Sequence, residues 1–362
     1  PAVGNPVGEA FDYKAVVPIK KNIFYRQVFD ALYQDHDLSK EGAFERRKRS
    51  SLDLEDFHRF IRNLGFMSFK KGVIQYSQEE FSLLVDQALR QAGVKAESAG
   101  LRLDLISAVP LFVREANEYR WSHKSFQDYF SAQFIYFDSG SDRDELIRRM
   151  FFGENVQRYF GLLSLLFEID HGLLSDLCIL PFIEDCCVGG RDTVFINEDH
   201  GIQFRFLSRM SDVFIDQTRG QNGAASEEYF DRIDEIVADV KDVSKRKWRR
   251  ISRFGKEGGV LIATSSDDIL RAELIGSVAG YRKNLKRGRE YSDSLEAIGQ
   301  TGRILDLVSF VENASNNSDA VAGLNLMIMA TNTWFPTSAL WGELKAGATA
   351  RREVRESFSI FE

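Results

Sequence analysis

Tyr119-Arg120-Trp121-Ser122-His123-Lys124-Ser125-Phe126-Gln127-Asp128-Tyr129-Phe130-Ser131-Ala132-Gln133-Phe134-Ile135 is the stretch around which the chain is organised. Ahead of it run the alternating Leu111-Phe112-Val113-Arg114 and the polar Glu115-Ala116-Asn117-Glu118. With Tyr119-Arg120-Trp121 these read as a β-hairpin with a four-residue turn. Ser122 falls where an N-cap belongs, because its hydroxyl can accept from the free N–H groups of the following turn. Phe126, Phe130, Phe134 and Phe137 recur at i, i+4, i+8 and i+11, the spacing of one buried helical face. By that spacing Phe126, Tyr129 and Phe130 are core and Trp121 packs beneath the helix. Gln127 and Asp128 are expected to face away from the stripe, available to a neighbouring domain.

Outward from that stretch the patterning is mostly helical. Pro1–Pro18 is punctuated by Gly and Pro with little periodicity. Ile23, Tyr25, Val28, Phe29, Leu32 and Tyr33 then recur at helical spacing, ending in Gln34-Asp35-His36-Asp37. Glu45-Arg46-Arg47-Lys48-Arg49 reads either as a solvated linker or as a contact for phosphates or an acidic neighbour. Asp53 is placed to cap a helix over 52–69 carrying Leu54, Phe57, Ile61, Leu64 and Phe66. Gly72 ends it, and Val73-Ile74-Gln75-Tyr76 reads as a short strand. Ser77-Gln78-Glu79-Glu80 is a capping box, opening a helix with Phe81, Leu84, Val85 and Leu89 on one side. Leu101 to Val109 predicts a shorter helix stopped near Pro110.

Past the turn Ser139-Gly140-Ser141-Asp142, helical spacing resumes in Leu146, Ile147, Met150 and Phe151. It continues through Tyr159, Leu162, Leu163, Leu165, Leu166 and Phe167, and through Leu173, Leu174, Leu177 and Leu180 up to Pro181. Gln203-Phe204-Arg205-Phe206 fits a strand or a turn of helix. Gly220-Gln221-Asn222-Gly223-Ala224-Ala225 is a linker candidate. Ser226 opens a regular helix through Tyr229, Phe230, Ile233, Ile236, Val237 and Val240. Its expected end, Lys245-Arg246-Lys247-Trp248-Arg249-Arg250 and then Arg253, opposes the negative pole of the helix dipole. A Trp among cations also suits phosphate or stacked-base contact. Further helices are predicted over Asp267–Tyr281, Ser294–Gly299, Ile304–Val311 and Ala320–Met329. Trp334, Phe335, Leu340 and Trp341 in the terminal segment fit either a core or a docking surface. No repeat of fixed period is visible.

Composition sets the limits. A chain of 362 residues is expected to hold about two or three domains with a sizeable core. With 44% hydrophobic and 28% charged residues it reads as a soluble globular protein, not a disordered one. A net charge of −7 argues against wholesale coating of nucleic acid, though local basic patches survive it. Three cysteines, two adjacent as Cys186-Cys187, make no even disulfide framework and point to a reducing compartment, hence the cytoplasm. No signal peptide opens the sequence, and no apolar run is long enough to span a bilayer, so no membrane partner is expected. Numbering from Pro1, not Met, leads to the expectation that this is a piece of a longer chain.

Trp121, His123, Ser125, Gln127, Tyr129, Phe130 and Ala132 resemble the Phe/Trp-x-His-x-Ser-x-Gln-Glu-Tyr/Phe-Phe-x-Ala signature that closes the winged-helix domain of NACHT-type STAND NTPases, with Asp128 where that family usually has Glu. These are signal-transducing ATPases of innate immunity and antiphage defence. The likeness runs back through Phe24-Tyr25, Val28 to Tyr33, Asp35 to Leu38, Arg46 to Ser50 and Leu52 to Phe57, covering about the first 140 residues. It implies a mainly α fold: 1–50 as the end of the helical domain that follows the NTPase core, and 51–138 as a winged helix with a small β-hairpin. A helical domain over 139–220 and a helical C-terminal sensor or partner region over 221–362 would follow. It further implies that His123 reaches the β-phosphate of ADP and helps hold a closed resting state. ADP or ATP with magnesium would belong to the parent protein, none being bound by this chain alone. The implied partners are the NTPase domain of the same protein, a pathogen or phage protein as trigger, and further copies on activation.

The residues themselves supply no catalytic set. No Gly-x-x-x-x-Gly-Lys-Ser/Thr is present: Gly255-Lys256 precedes Glu257 and follows nothing glycine-rich. Without those glycines no backbone amides wrap a phosphate, so this chain is expected not to be an enzyme alone, although its parent would be an ATPase. No His-Glu-x-x-His, Cys-x-x-Cys or Gly-x-Ser-x-Gly occurs, so no metal site is expected and Cys186-Cys187 reads as apolar packing or, less simply, a nucleophile. His123 stands apart: at a helix N-terminus an imidazole adds a donor to a positive pole that suits an anion. The plainer reading is that it merely caps the hairpin-to-helix junction. Lys124 is an optional accessory cation. His36, His58, His171 and His200 have no partner spacing. The competing functional class is a winged-helix nucleic-acid-binding regulator, with Lys245 to Arg253 holding the backbone.

Overall fold

The computed structural model describes residues 20–34, 48–188, 211–216, 247–254, 258–264, 266–278, 303–305 and 336–358. They fall into two compact units, Pro1–Phe151 with Arg158–Leu174, and Phe152–Gln157 with Ser175–Glu362. The described chain is mainly helical, with a small three-stranded antiparallel sheet in the first unit and a four-stranded one in the second.

In the first unit α1 (Lys21–Tyr33) and α2 (Leu54–Lys71) precede β1 (Gln75–Ser77), α3 (Gln78–Ala92) and α4 (Ser98–Asp104). The hairpin strands β2 (Phe112–Glu115) and β3 (Glu118–Trp121) lead into α5 (Lys124–Phe137), followed in chain order by α6 (Arg143–Phe152) and α7 (Val156–Ile169). Two caps are those the sequence announces: Asp53 accepts from the Asp56 N–H, and Ser77 and Glu80 close their box. Gly72, at φ 73°, ends α2 in the left-handed region that glycine enters without a Cβ clash. The sheet order is β1-β3-β2, with Tyr76 opposite Tyr119. The hairpin is tighter than predicted: Glu115 pairs with Glu118, leaving Ala116-Asn117 as a two-residue turn. α4 stops at Asp104, short of the predicted Val109, where the buried carboxylate receives the backbone N–H groups of Arg49 and Ser50 at 2.8 Å each. That fastens the chain's approach to α2.

α5 is buried from Phe126 to Ile135 without a break. Gly65 explains how closely α2 lies on it: a Cβ there would stand 2.7 Å from the Cβ of Phe130. α7 approaches from another side at Gly161, where a Cβ would meet Asp128 Oδ2 at 2.8 Å. α1 completes the cover, with Tyr25 5.8 Å from Phe126 and Phe29 5.4 Å from Phe130 between ring centroids. Two expectations fail here. Gln127 and Asp128 are buried, not displayed, because α5 is enclosed on several sides. Phe137, the last helical residue, is 59% exposed, and Arg62 spans its ring while gripping Asp138 at 2.6 and 2.9 Å.

In the second unit a π-helical turn (Ser175–Ile179) follows α8 (His171–Leu174) of the first, and α9 (Leu180–Val188) continues it. Pro181 therefore opens a helix where it was expected to end one. The ladder changes from π to α spacing directly before it, next to the residue that has no N–H to give. Cys178 and Cys186 are buried. Strands β4 (Ser211–Asp216), β5 (Lys247–Phe254), β6 (Gly258–Thr264) and β7 (Arg303–Leu305) form an antiparallel sheet of order β5-β6-β4-β7. The expectation of a helical C-terminal region over 221–362 is corrected: its described residues form strands as well as helices. Lys247–Phe254 is an edge strand and not a basic helix end, and Ile304 lies in a strand. Of the predicted later helices Asp267–Tyr281 appears as α10 (Ser266–Val278), and α11 (Ser338–Phe358) occupies much of the terminal segment. Arg351 of α11 grips Asp176 at 2.9 and 2.5 Å. Gln203–Phe206, the linker at 220–225, the helix from Ser226 and the helices at 294–299 and 320–329 lie outside the described residues.

Replacing Gly65 with Ala forces α2 off Phe130. Overpacking of this kind is expected to lower unfolding free energy by about 1–3 kcal/mol. Urea unfolding of the variant beside the parent measures it, and an unchanged midpoint refutes the close approach.

Candidate functional site

The hairpin, α2 and α5 meet in a buried polar knot. Trp121, 2% exposed, donates its indole N–H to Ser68 Oγ at 3.2 Å. Gln127 donates to the same oxygen and to the Val73 carbonyl, both at 3.1 Å, and Ser68 donates to the Gly65 carbonyl at 2.7 Å. Tyr76 donates to the Val73 carbonyl at 2.6 Å, and burial pushes its hydroxyl up to about 12. Every donor here has an acceptor, as a buried polar group requires. Trp121 and Gln127 therefore serve the interior.

His123 is placed by that interior and lies outside it. The Ser122 N–H donates to the Leu111 carbonyl at 2.8 Å, which extends the hairpin one residue beyond the expected junction. The cap of α5 is consequently His123, not Ser122: its backbone is extended at φ −150°, and its Nδ1 accepts the Ser125 N–H at 3.2 Å. The Ser125 hydroxyl lies 2.5 Å from the same nitrogen. With Nδ1 accepting, the neutral ring carries its proton on Nε2. The side chain is exposed, so Nε2–H is a donor without a partner among the described residues, at the positive end of a helix of 14 residues. An anionic oxygen fits that arrangement. Ser122 Oγ is buried without a partner among the described residues.

Lys124 is not the loose accessory cation that the sequence allows. Its ammonium binds Asp128 at 3.0 and 2.9 Å, four residues along the helix. Burial raises the Asp128 carboxyl above the usual range, while Lys124 first and His123 after it draw it back. The sequence reading missed Asp128, although the Lys-x-x-x-Asp spacing was there to be seen. It missed Ser125 as well, which fixes the imidazole. Lys48 sits over the Tyr33 ring at 3.6 Å and Arg49 is tied to Asp104 through its backbone, while 247–253 belongs to β5 in the other unit.

His58 is of a different kind. Its ring meets Phe29 edge-on at 4.4 Å, its Nε2 is buried without a hydrogen-bond partner among the described residues, and burial, then Arg62 and Arg26, hold its pKa down to about 4. Among the described residues no group of three or more His, Cys, Asp or Glu side chains is arranged to hold a metal ion, and no helix is long and apolar enough to cross a membrane. No family model, no curated protein and no solved structure matches this chain.

His58 gives stability an acid slope. The unfolded side chain takes its proton near pH 6.5 and the folded one near pH 4, so between these values the unfolded state binds more protons and stability falls as pH falls. The stability of the parent relative to His58→Gln is expected to drop by at most about 3 kcal/mol between pH 7 and pH 4. Urea unfolding of both proteins across that range measures it. A difference independent of pH would exclude a desolvated imidazole.

Proposed function

We propose that this chain is the regulatory and sensor half of a NACHT-type STAND signalling ATPase, and that His123 contacts the β-phosphate of ADP in the resting state. Two things support the reading: the signature at Trp121 to Ala132 and the order helix, strand, helix, helix, hairpin, helix, which is the order of a winged helix followed by one more helix. One observation carries it. Of the signature residues, Trp121, Gln127, Asp128, Tyr129, Phe130 and Ala132 are buried, and Ser125 is engaged with the imidazole. His123 alone presents outward a ring nitrogen with no partner among the described residues.

The chain's residues would bind and orient, with no bond made or broken by them. Ser125 and the Ser125 N–H hold Nδ1, so Nε2–H is aimed without a search over ring rotamers. The polar knot at Ser68 fixes the hairpin from which His123 departs. Hydrolysis and magnesium binding would belong to the NTPase domain of the parent protein. A pathogen or phage protein bound by the C-terminal region would favour the open state by its greater affinity for it. Nucleotide exchange and self-assembly would follow in the cytoplasm.

The test uses the complete natural protein that contains this chain. His123→Ala is expected to lower retained ADP by about 10–100-fold, the usual range for one hydrogen bond to a charged group. It is also expected to raise signalling output in the absence of a trigger. Nucleotide released by denaturing the purified protein, separated by ion-pair chromatography, gives the first readout. Undiminished ADP with silent output would overturn the assignment.

A further inference from the structure

Resting on that reading of His123, we infer that Asp128 sets the strength of the anion grip by withdrawing the Lys124 ammonium from it. Lys124 is the first residue of α5 and stands beside His123, where a free ammonium would pair with any phosphate that Nε2–H reaches. Instead its charge is folded back onto Asp128, which takes it through both carboxylate oxygens at 3.0 and 2.9 Å. Lys124 itself is half exposed and Asp128 only 8% so. The carboxylate thus cannot turn to water for its solvation and keeps the ammonium. A phosphate bound at His123 then meets a donor and a helix pole, without a full cation. Such a grip holds nucleotide and still releases it.

α7 is the backing of this device. The Gly161 position leaves no room for a Cβ, which would stand 2.8 Å from Asp128 Oδ2 and nothing nearer than 3.5 Å otherwise. The seated helix therefore fixes how deeply the carboxylate lies, and through it where the Lys124 charge goes. The pair acts as a positioning element: neither residue needs to touch nucleotide in the resting state.

The complete natural protein, loaded with ADP bearing a fluorescent tag on its ribose, reports the release rate by dilution into unlabelled ADP. Asp128→Asn frees the ammonium and is expected to slow release about tenfold, the size of one charge-assisted hydrogen bond. Asp128→Asn combined with Lys124→Met is expected to lose that gain. Lys124→Met alone leaves a bare carboxylate beside the phosphate and is expected to speed release. Gly161→Ala, which displaces the carboxylate without removing it, is expected to slow release by a smaller factor, and it keeps the test alive should Asp128→Asn fold poorly. The slowing in Asp128→Asn should also fade with added salt, which a structural effect would not show. Release unchanged or faster in both Asp128→Asn and Gly161→Ala overturns the inference. Should His123→Ala speed release while these two do nothing, the nucleotide reading stands and this inference alone falls. If all three leave release unchanged, both fall together.

Discussion

The approach of α2 to α5 at Gly65 is the constraint on which the first unit depends. With a Cβ absent there, the backbone of one helix lies almost against Phe130 of the other. Ser68, one turn further along α2, is then near enough to accept from both Trp121 and Gln127. One hydroxyl so joins the hairpin to α5, and the junction between them has a single geometry. A methyl at Gly65 would push on that junction as well as on the core. Packing and placement of His123 are therefore one question, since the interior is a close-packed solid with few voids to absorb a shift.

Much of this unit can be read in the sequence, because its signals are local. Asp53, Ser77 with Glu80, and Gly72 announce helix ends through hydrogen bonds to residues within one turn, and the aromatic spacing of α5 gives a face. What the sequence cannot show is how many faces are covered. Gln127 and Asp128 sit off the aromatic stripe and look like surface. They are interior because α7 and the Ser68 knot close the remaining sides, a fact of tertiary contact between residues far apart in the chain. The one-residue shift of the cap from Ser122 to His123 has the same origin, in a backbone bond from Ser122 to Leu111.

The second unit fails differently. Lys247 to Phe254 and Gly258 to Thr264 are runs of seven or eight residues, a length at which strand and buried helix have similar apolar patterns. In the first run the cations around Trp248 suggested a helix end, while the strand is defined only by its antiparallel partner in β6. The β-branched Val260 and Ile262, bounded by Gly258-Gly259, are the local cue that favours a strand in the second. Pro181 misled for a sharper reason. A proline inside a helix can be absorbed where the hydrogen-bond ladder is already irregular, and here a π turn stands directly before it.

The candidate site shows why a signature and an architecture have to be separated before either is given a function. A motif made mostly of inward residues would be expected wherever a hairpin must be pinned to a helix, with no ligand at all. Trp121, Gln127, Tyr129 and Phe130 are accounted for by that task alone. His123 is not: a serine or aspartate at the same position would cap α5 as well, with less exposed surface and no ring to orient. The fold needs a cap here, and an imidazole held by Nδ1 leaves a second, outward donor that the fold does not need. The surplus donor is the part of the sequence that structure alone does not explain, and it stands beside a cation whose charge is already committed to Asp128.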